Sequence, residues 1–110
     1  MKIAILLCYY ERPNMVRFAL NSIKNAVHKD WHLYFVDDRS TYPGAHVVSE
    51  ILAGKTDKVT FFNTQDKEKK QGSSFAKYWN QALEDTDADI AIMLCDDDAL
   101  FPGYLKLLSD

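Results

Sequence analysis

Short apolar runs that alternate with amphipathic segments constrain the fold of this chain more than any other feature. Four runs, at residues 2–8, 32–37, 58–63 and 89–95, are nearly continuous in apolar residues and rich in β-branched or aromatic side chains. Continuous apolarity, as opposed to strict alternation, is typical of strands that are covered on both faces, as in a parallel sheet. The four runs therefore predict four strands of this kind.

The segments between the runs have the spacing of amphipathic helices. In the first, Pro13 suits the opening turn, where a missing N–H costs nothing. One apolar stripe of this helix is formed by Val16, Ala19, Leu20, Ile23 and Val27. A second helix is predicted over 44–53, with Gly54 as its stop.

Two further helices are predicted in the second half of the chain. One runs from Ser73 or Ser74 to about Asp85. Its inward side chains are expected to be Phe75, Trp79, Ala82 and Leu83. The other is opened by Pro102 and includes the segment "PGYLKLL".

Strands that alternate with helices in this way predict an α/β fold. We expect an open, mainly parallel sheet in the order 3-2-1-4, with helices on both faces in a Rossmann-like arrangement. Ligands of such sheets bind beyond the carboxyl ends of the strands. Asp38 and Asp97 should therefore lie at the same edge. The residues just past the first, second and fourth strands are Tyr9, Tyr10, Glu11, Arg12, Asp37, Asp38, Arg39, Ser40, Asp96, Asp97 and Asp98.

The three consecutive aspartates allow two interpretations. A run of charge at the start of a loop is often a solvated turn, but Asp96, Asp97 and Asp98 follow a buried strand at the ligand-binding edge. Grouped carboxylates suit Mg²⁺ or Mn²⁺, which take one or two protein carboxylates together with substrate phosphates. The segment after the first strand, "CYYERPN", contains no glycine, so neither a P-loop nor a dinucleotide fingerprint is present. A nucleoside diphosphate bound at this edge would need a metal to neutralise it.

The other residues at this edge also allow two roles. One of Asp37 and Asp38 is expected to cap backbone N–H groups after the second strand. The other is available to accept hydrogen bonds from a base or a ribose. Tyr9 and Tyr10 point in opposite directions, so one belongs to the core, while the other either stacks on a flat ring or simply packs.

Charge and cysteine content exclude several classes of protein. The 110 residues carry a net charge of -3, which argues against nucleic acid as a partner. No apolar segment is long enough to span a bilayer. The two cysteines make no disulfide framework, so a cytoplasmic location is the default. Cys8 and Cys95 end neighbouring strands and should lie close together, and we interpret both as small buried hydrophobic residues.

Four segments of the chain form a set that matches a known family: "YYERPNMVRFALNSI", "FVDDRST", "GSSFAKYWNQAL" and "IAIMLCDDDALFPGYL". Together they resemble the N-terminal, nucleotide-binding half of an inverting glycosyltransferase of the GT-A fold, similar to family 2. The family's Thr-Tyr-Asn-Arg-Pro-like opening is matched at Tyr10, Arg12 and Pro13, while Tyr9 and Glu11 differ from it. Its Val-Asp-Asp-x-Ser segment corresponds to "VDDRS", and its Asp-x-Asp metal motif corresponds to the triplet.

The resemblance implies an activity and a set of contacts. The activity is metal-dependent transfer of a sugar from a nucleotide-diphosphate sugar, most naturally a UDP-sugar, to an acceptor hydroxyl. Tyr10 and Asp38 would contact the base, with Asp37 near the base or the ribose. Asp96 and Asp98 form the literal Asp-x-Asp, but the metal ligand falls equally well on Asp97, because Cys95 stands where many relatives have the first acidic residue. Candidates for diphosphate contacts are Lys70, Ser74 and Lys77.

The resemblance also implies that residues 1–110 are one nucleotide-sugar-binding half, truncated at its C-terminal end. The family's second half holds the acceptor and supplies the general base, so we expect the chain alone to bind donor and transfer almost nothing. Without the second half, an apolar face that it normally covers would be exposed and would favour self-association. Two alternatives stay open: a non-catalytic nucleotide-binding or scaffold module of the same fold, and a receiver-like signalling domain. The receiver-like domain is disfavoured because its acidic positions hold "YYER" and "NTQD" here.

Overall fold

The computed structural model describes residues 1–38, 40–64 and 75–110, and it forms one four-stranded sheet in that part of the chain. The strands are β1 (Ile3–Tyr9), β2 (Trp31–Asp38), β3 (Val59–Thr64) and β4 (Ile90–Cys95). They pair in the order β3-β2-β1-β4, and every pairing is parallel. The predicted α/β fold and its strand order are confirmed.

Helices cover both faces of this sheet. They are α1 (Pro13–Lys24), α2 (Gly44–Ile51), α3 (Phe75–Asp85) and α4 (Tyr104–Ser109), with a short 3₁₀ turn at Thr56–Lys58. The larger core joins one face of β1 and β2 to α1, α2 and α4, and the smaller one packs α3 against Leu6 and Tyr34 on the opposite face. No helix in the described ranges has both the length and the apolar character to cross a membrane.

Helix α1 follows from its sequence except at its C-terminal end. Pro13 occupies its first turn, as predicted. The four stripe residues within the helix are fully buried: Val16, Ala19, Leu20 and Ile23. Val27 was expected to continue the stripe, which is wrong, because the helix ends at Lys24 and Val27 is 56% exposed. Its backbone N–H donates instead to the carbonyl of Pro102 at 2.8 Å.

Strands β3 and β4, at the two edges of the sheet, depart from the prediction that all four strands are buried on both faces. Phe61 on β3 is 40% exposed. On β4, Leu94 on one face is buried, but Ala91, Met93 and Cys95 on the other are exposed, and Met93 is 63% exposed. The physical reason is that α3 packs on β1 and β2 and leaves the adjacent face of β4 uncovered by described residues. Continuous apolarity predicts a strand correctly here but not how many of its faces are covered.

Smaller differences concern the ends and faces of three helices. Leu83 was expected to point inward on α3, which is wrong, since it is 45% exposed while Ala82 is buried. Helix α4 begins at Tyr104 and not at Pro102. Helix α2 begins at Gly44 as predicted but ends at Ile51.

Gly54, the predicted stop of the second helix, has a φ of 81°. That left-handed conformation suits glycine after a helix. The predicted start of α3 at Ser73 or Ser74, and the side chain of Phe75, lie outside the described residues.

Gly44 provides a test of how tightly α2 packs on the sheet. A Cβ atom added there would lie 2.7 Å from Cζ of Phe35 and 3.0 Å from Cδ2 of Tyr9, and both rings are fully buried. We expect Gly44→Ala to lower the free energy of unfolding by about 1–3 kcal/mol, because an overfilled core must shift. Urea unfolding measures the change. Gly103→Ala is the matched control, since its Cβ would meet nothing closer than 3.9 Å, and an equal loss in both variants would contradict this packing.

Candidate functional site

The carboxyl ends of β1, β2 and β4 lie side by side at one edge of the sheet. The pairing register sets Tyr9 opposite Asp37 and Cys8 opposite Cys95. The segments that follow these strands, 10–12, 40–43 and 96–101, are therefore neighbours. Asp38 ends β2, and Asp97 comes two residues after the end of β4, so both lie at this edge as the sequence predicted.

Asp37 shapes the turn between β2 and α2. Its carboxylate accepts a hydrogen bond from the Ser40 backbone N–H at 3.1 Å and another from the Gly44 N–H at 2.9 Å. The second bond satisfies a donor in the first turn of α2, where a negative charge is also favourable. Asp37 thus performs the capping role that the sequence assigned to one member of the aspartate pair. Asp38, the other member, is fully buried.

Glu11 joins the loop after β1 to the loop after β2. Its backbone N–H donates to Oγ of Ser40 at 3.0 Å. Its carboxylate accepts from the backbone N–H groups of Thr41 and Tyr42, the latter at 3.3 Å. Glu11 has a φ of 53°, a left-handed conformation that costs a residue with a side chain about 1–2 kcal/mol. The hydrogen bonds offset that strain.

Tyr9 adds a further tie between the same two loops. Its ring is fully buried, and its hydroxyl donates to the carbonyl of Tyr42 at 2.9 Å. Burial, followed by the nearby charge of Asp37, raises the pKa of Tyr9 to about 12, so the hydroxyl stays protonated and able to donate. Tyr9 is therefore the core tyrosine of the pair, and Tyr10 is the more exposed one.

Asp96 is the inward-facing member of the aspartate triplet. It is 7% exposed, and its carboxylate accepts from the Tyr10 backbone N–H at 3.0 Å. Nη1 of Arg12 lies 3.6 Å from its other oxygen. Burial raises the pKa of Asp96, while the Tyr10 N–H and the Arg12 charge act in the opposite direction. Asp96 therefore holds the loop after β1 against the loop after β4.

Asp97 and Asp98 face outward and have different partners. Asp97 Oδ2 lies 3.3 Å from Nη1 of Arg12 in a partly exposed ion pair. Asp98 closes the turn after β4: its carboxylate accepts from the Cys95 N–H at 3.0 Å, and its own N–H donates to the Cys95 carbonyl at 3.0 Å. The triplet thus divides into one buried carboxylate and two accessible ones.

The accessible carboxylates fit a hard divalent cation. Ligand atoms of Cys95, Asp97 and Asp98 all lie within 4.8 Å of one another. Carboxylate oxygens suit Mg²⁺ and Mn²⁺, whereas a thiol is a soft ligand that Mg²⁺ does not favour. In this group Asp97 and Asp98 are therefore the donors that fit Mg²⁺ or Mn²⁺, and Asp96 is engaged by Tyr10 and Arg12.

The predicted diphosphate contacts have less support from the described residues. Lys77 is exposed on the first turns of α3, with Nζ 5.5 Å from the centroid of the Tyr78 ring. Among the described residues, no hydrogen bond or ion pair joins Lys77 to the triplet. Lys70 and Ser74 lie outside the described residues, as does Arg39.

The sequence did not reveal the roles of Glu11 and Arg12 as connectors. Glu11 attracted notice only because it departs from the family pattern, and Arg12 only because it matches that pattern. The available signal was position, since both come directly after a strand at the ligand-binding edge. Their partners come from loops about 30 and 85 residues away in sequence, at Thr41 and Asp97.

The two cysteines lie close together, but only one resembles a buried hydrophobic residue. Cys8 is half-buried, and burial, followed by the neighbouring Cys95, raises its pKa to about 12. Cys95 is exposed, so the prediction of a buried residue there is wrong. The reason is the uncovered face of β4, on which Cys95 is the last residue.

An apolar cleft adjoins the carboxylates on the outer side of β4. Its volume is about 280 Å³, and it reaches from the strand to the start of α4. The lining comprises Ile92, Met93, Leu94, Asp98, Ala99, Leu100, Phe101 and Tyr104. Among the described residues that line it, Asp98 is the acidic one, and it connects the cleft to the candidate metal group.

Comparisons with known proteins agree with this geometry. The family model described as glycosyl transferase family 2 matches residues 4–108. Protein CgeD of Bacillus subtilis (strain 168) is 25% identical over 107 residues, which are 96% of this chain and 25% of CgeD.

Solved structures share the fold. TarS 1–349 from S. aureus superposes with a TM-score of 0.81 at 20% identity, over 99% of this chain and 31% of that one. The same TarS segment has also been solved in complex with UDP-GlcNAc. Mannosyltransferase PcManGT from Pyrobaculum calidifontis, in complex with GDP-Man and Mn²⁺, gives a TM-score of 0.76 at 18% identity, over 99% of this chain and 32% of that one. The chain thus spans about a quarter to a third of the length of these proteins.

Substitutions at Glu11 separate its hydrogen bonds from its strained backbone. Glu11→Ala removes the carboxylate and keeps the left-handed strain, so we expect the free energy of unfolding to fall by about 1 kcal/mol or more. Glu11→Gly also removes the carboxylate but relieves the strain, and should lose less. Glu11→Gln, which keeps an acceptor oxygen, is the control and should lose least. Urea unfolding ranks the three, and a glycine variant less stable than the alanine variant would refute the account.

Proposed function

The chain belongs to glycosyl transferase family 2, and we propose that its site binds a nucleoside-diphosphate sugar for metal-dependent transfer, with inversion, to an acceptor hydroxyl. The observation that carries the proposal is the grouping of Asp97 and Asp98 at the same sheet edge as Tyr10 and Asp38. A UDP-sugar is the first choice of donor. TarS, whose fold the chain shares, has been solved with UDP and with UDP-GlcNAc.

The base and ribose fit between the loops after β1 and β2. Tyr10 is the tyrosine that the resemblance assigns to the base. It is partly exposed, and Asp96 holds its backbone N–H, so its ring is available to stack on a flat base. Asp38 is fully buried at the end of β2, so base N–H groups would reach its carboxylate only as the surrounding side chains move to admit the nucleotide. Asp37 contributes through the turn that it caps, beside the ribose.

The diphosphate needs positive charge near the triplet. In the described part of the chain, Arg12 is the cationic side chain that pairs with this group. Bound at Asp97 and Asp98, Mg²⁺ or Mn²⁺ would supply the charge that neutralises the diphosphate and its developing charge as the sugar leaves. Mn²⁺ accompanies GDP-Man in the structure of PcManGT.

Arg12 has a separate role in the proposal. Its guanidinium pairs with Asp97 and Asp96 and so lowers the repulsion between them while the metal is absent. When the nucleotide binds, the phosphate oxygens offer Arg12 a better bidentate partner than a half-exposed carboxylate. Arg12 would then leave Asp97 available for the metal.

The general base stays unassigned. Glu11 is the acidic residue nearest in sequence to the proposed base contacts, but its carboxylate accepts from Thr41 and Tyr42. Those bonds give it a positioning role. A cytoplasmic location and self-association stay predictions, and the acceptor stays unassigned.

Calorimetry with UDP-GlcNAc tests donor and metal binding. We expect Mn²⁺ to tighten binding by about tenfold or more, since a charge-assisted contact to a diphosphate is worth about 1.5–3 kcal/mol. Asp97→Asn should remove this gain, whereas Asp38→Asn should weaken binding with or without Mn²⁺. Asp85→Asn is the control, an exposed carboxylate at the far end of α3.

Equal affinity with and without Mn²⁺ would contradict the metal assignment. A transfer assay with radiolabelled UDP-GlcNAc and added acceptors then separates the two remaining functions. Transfer by this chain or by a longer form supports the transferase. Tight donor binding without transfer by any form favours the non-catalytic nucleotide-binding module.

Removal of the Arg12 charge tests its exchange between carboxylate and phosphate. Arg12→Met keeps most of the side-chain length but frees Asp97, so we expect the chain alone to bind Mn²⁺ several-fold more tightly. UDP binding with saturating Mn²⁺ should become weaker, because the phosphate contact is lost. Electron paramagnetic resonance of free Mn²⁺ measures the first effect and calorimetry the second. Arg17→Met, which breaks an ion pair with Glu50, should change neither.

A further inference from the structure

The two thiols of the chain meet at the same sheet edge as the carboxylates. Cys8 and Cys95 are direct partners in the parallel register of β1 and β4. Residues opposite each other on paired strands point to the same face, so both thiols lie on the face that α3 leaves uncovered at β4. Cys95 is exposed there, and Cys8 is half-buried beside it.

The backbone geometry at this position is compatible with a covalent link. Neighbouring strands lie about 4.8 Å apart, and disulfides join Cα atoms that are about 4.4–6.8 Å apart. Two cysteines in direct register therefore fall within range with only a small adjustment of the strands. The influence of Cys95 on the pKa of Cys8 also reflects their closeness.

We propose that Cys8 and Cys95 are an oxidation site that forms a reversible disulfide with a peroxide as oxidant. The exposed thiol of Cys95 reacts first: its sulfur attacks one peroxide oxygen and breaks the O–O bond, and the thiol proton passes to the departing oxygen. Water leaves with the proton, and Cys95 becomes a sulfenic acid. The Cys8 sulfur then attacks the Cys95 sulfur, and the S–S bond forms as the second water leaves. The two thiols lose two electrons in total, and the peroxide gains them.

The disulfide would act on the turn that carries the triplet. Both backbone polar groups of Cys95 are bonded to Asp98, through the Cys95 N–H at 3.0 Å and the Cys95 carbonyl at 3.0 Å. A bridge that draws Cys95 toward β1 therefore moves the anchor of Asp98. The disulfide between Cys8 and Cys95 is inferred from geometry alone, whereas its effect on metal binding rests on the proposed function.

Intact mass and thiol alkylation of the 110-residue chain test the bridge. After treatment of the reduced monomer with hydrogen peroxide, we expect a mass loss of two hydrogen atoms, no alkylatable thiol, and full reversal by dithiothreitol. Peptide mapping should identify Cys8 linked to Cys95 within one chain. A stable sulfinic acid on Cys95 with Cys8 still alkylatable, or dimers linked through Cys95, would overturn the proposal.

Single serine variants assign the two steps. Cys8→Ser should leave a sulfenic acid on Cys95 that dimedone traps, while Cys95→Ser should resist oxidation. Circular dichroism checks that both variants are folded. Dimedone labelling of Cys8 and not Cys95 would overturn the proposed order.

Binding of Mn²⁺ alone, measured by electron paramagnetic resonance, tests the consequence for the site. We expect the oxidised chain to bind Mn²⁺ several-fold more weakly than the reduced chain, and peroxide-treated Cys95→Ser to be unchanged by the treatment. A bridge that forms without this change refutes the effect on Asp98. If the reduced chain does not bind Mn²⁺, the proposed metal site is refuted. The intact-mass measurement then still decides whether the disulfide forms.

Discussion

Strand β1 is hydrogen-bonded on both sides, and the rest of the site depends on that constraint. Its pairing with β2 sets Tyr9 beside Asp37, and its pairing with β4 sets Cys8 beside Cys95. Because both pairings are parallel and cover β1 from Ile3 onward, the three strands end at nearly the same level. Loops that are far apart in sequence are thereby brought to one edge without long connections.

Burial and backbone donors decide what each carboxylate at this edge can do. Asp37 and Asp96 are almost fully buried and accept backbone N–H groups, from Ser40 and Gly44 in one case and from Tyr10 in the other. A buried carboxylate is tolerated when such bonds replace its lost hydration. Within the triplet, the outward carboxylates of Asp97 and Asp98 remain accessible to a cation. The three consecutive aspartates thus have different roles, because Asp96 faces inward at the sheet edge while Asp97 and Asp98 face outward.

Periodicity in the sequence predicted the strands and helices, because these depend on local spacing, and the alternation of strands with helices predicted the parallel sheet. The four strands, their order and the buried stripe of α1 could all be predicted. The exposure of individual apolar side chains could not be predicted. Met93 and Leu83 both belong to apolar patterns, but whether a neighbour covers them depends on where α3 lies. At the site, the carboxylate-rich edge was predictable from strand ends. The hydrogen bonds by which Glu11 joins two loops were not predictable, because they require a left-handed backbone and partners about 30 residues away.

Segment 10–12 contacts the loops on both sides of it, and this arrangement would link the two proposed binding events, of the cation and of the nucleotide. Tyr10 and Arg12 contact Asp96, while Glu11 contacts Thr41. A ligand that moves one of these loops therefore also affects the position of the other. Thermodynamic linkage requires the coupling to be reciprocal: a cation that tightens nucleotide binding is itself bound more tightly, by the same factor, once the nucleotide is present. At cation concentrations too low to fill the site alone, binding of the nucleotide would therefore increase the fraction of sites that hold the cation.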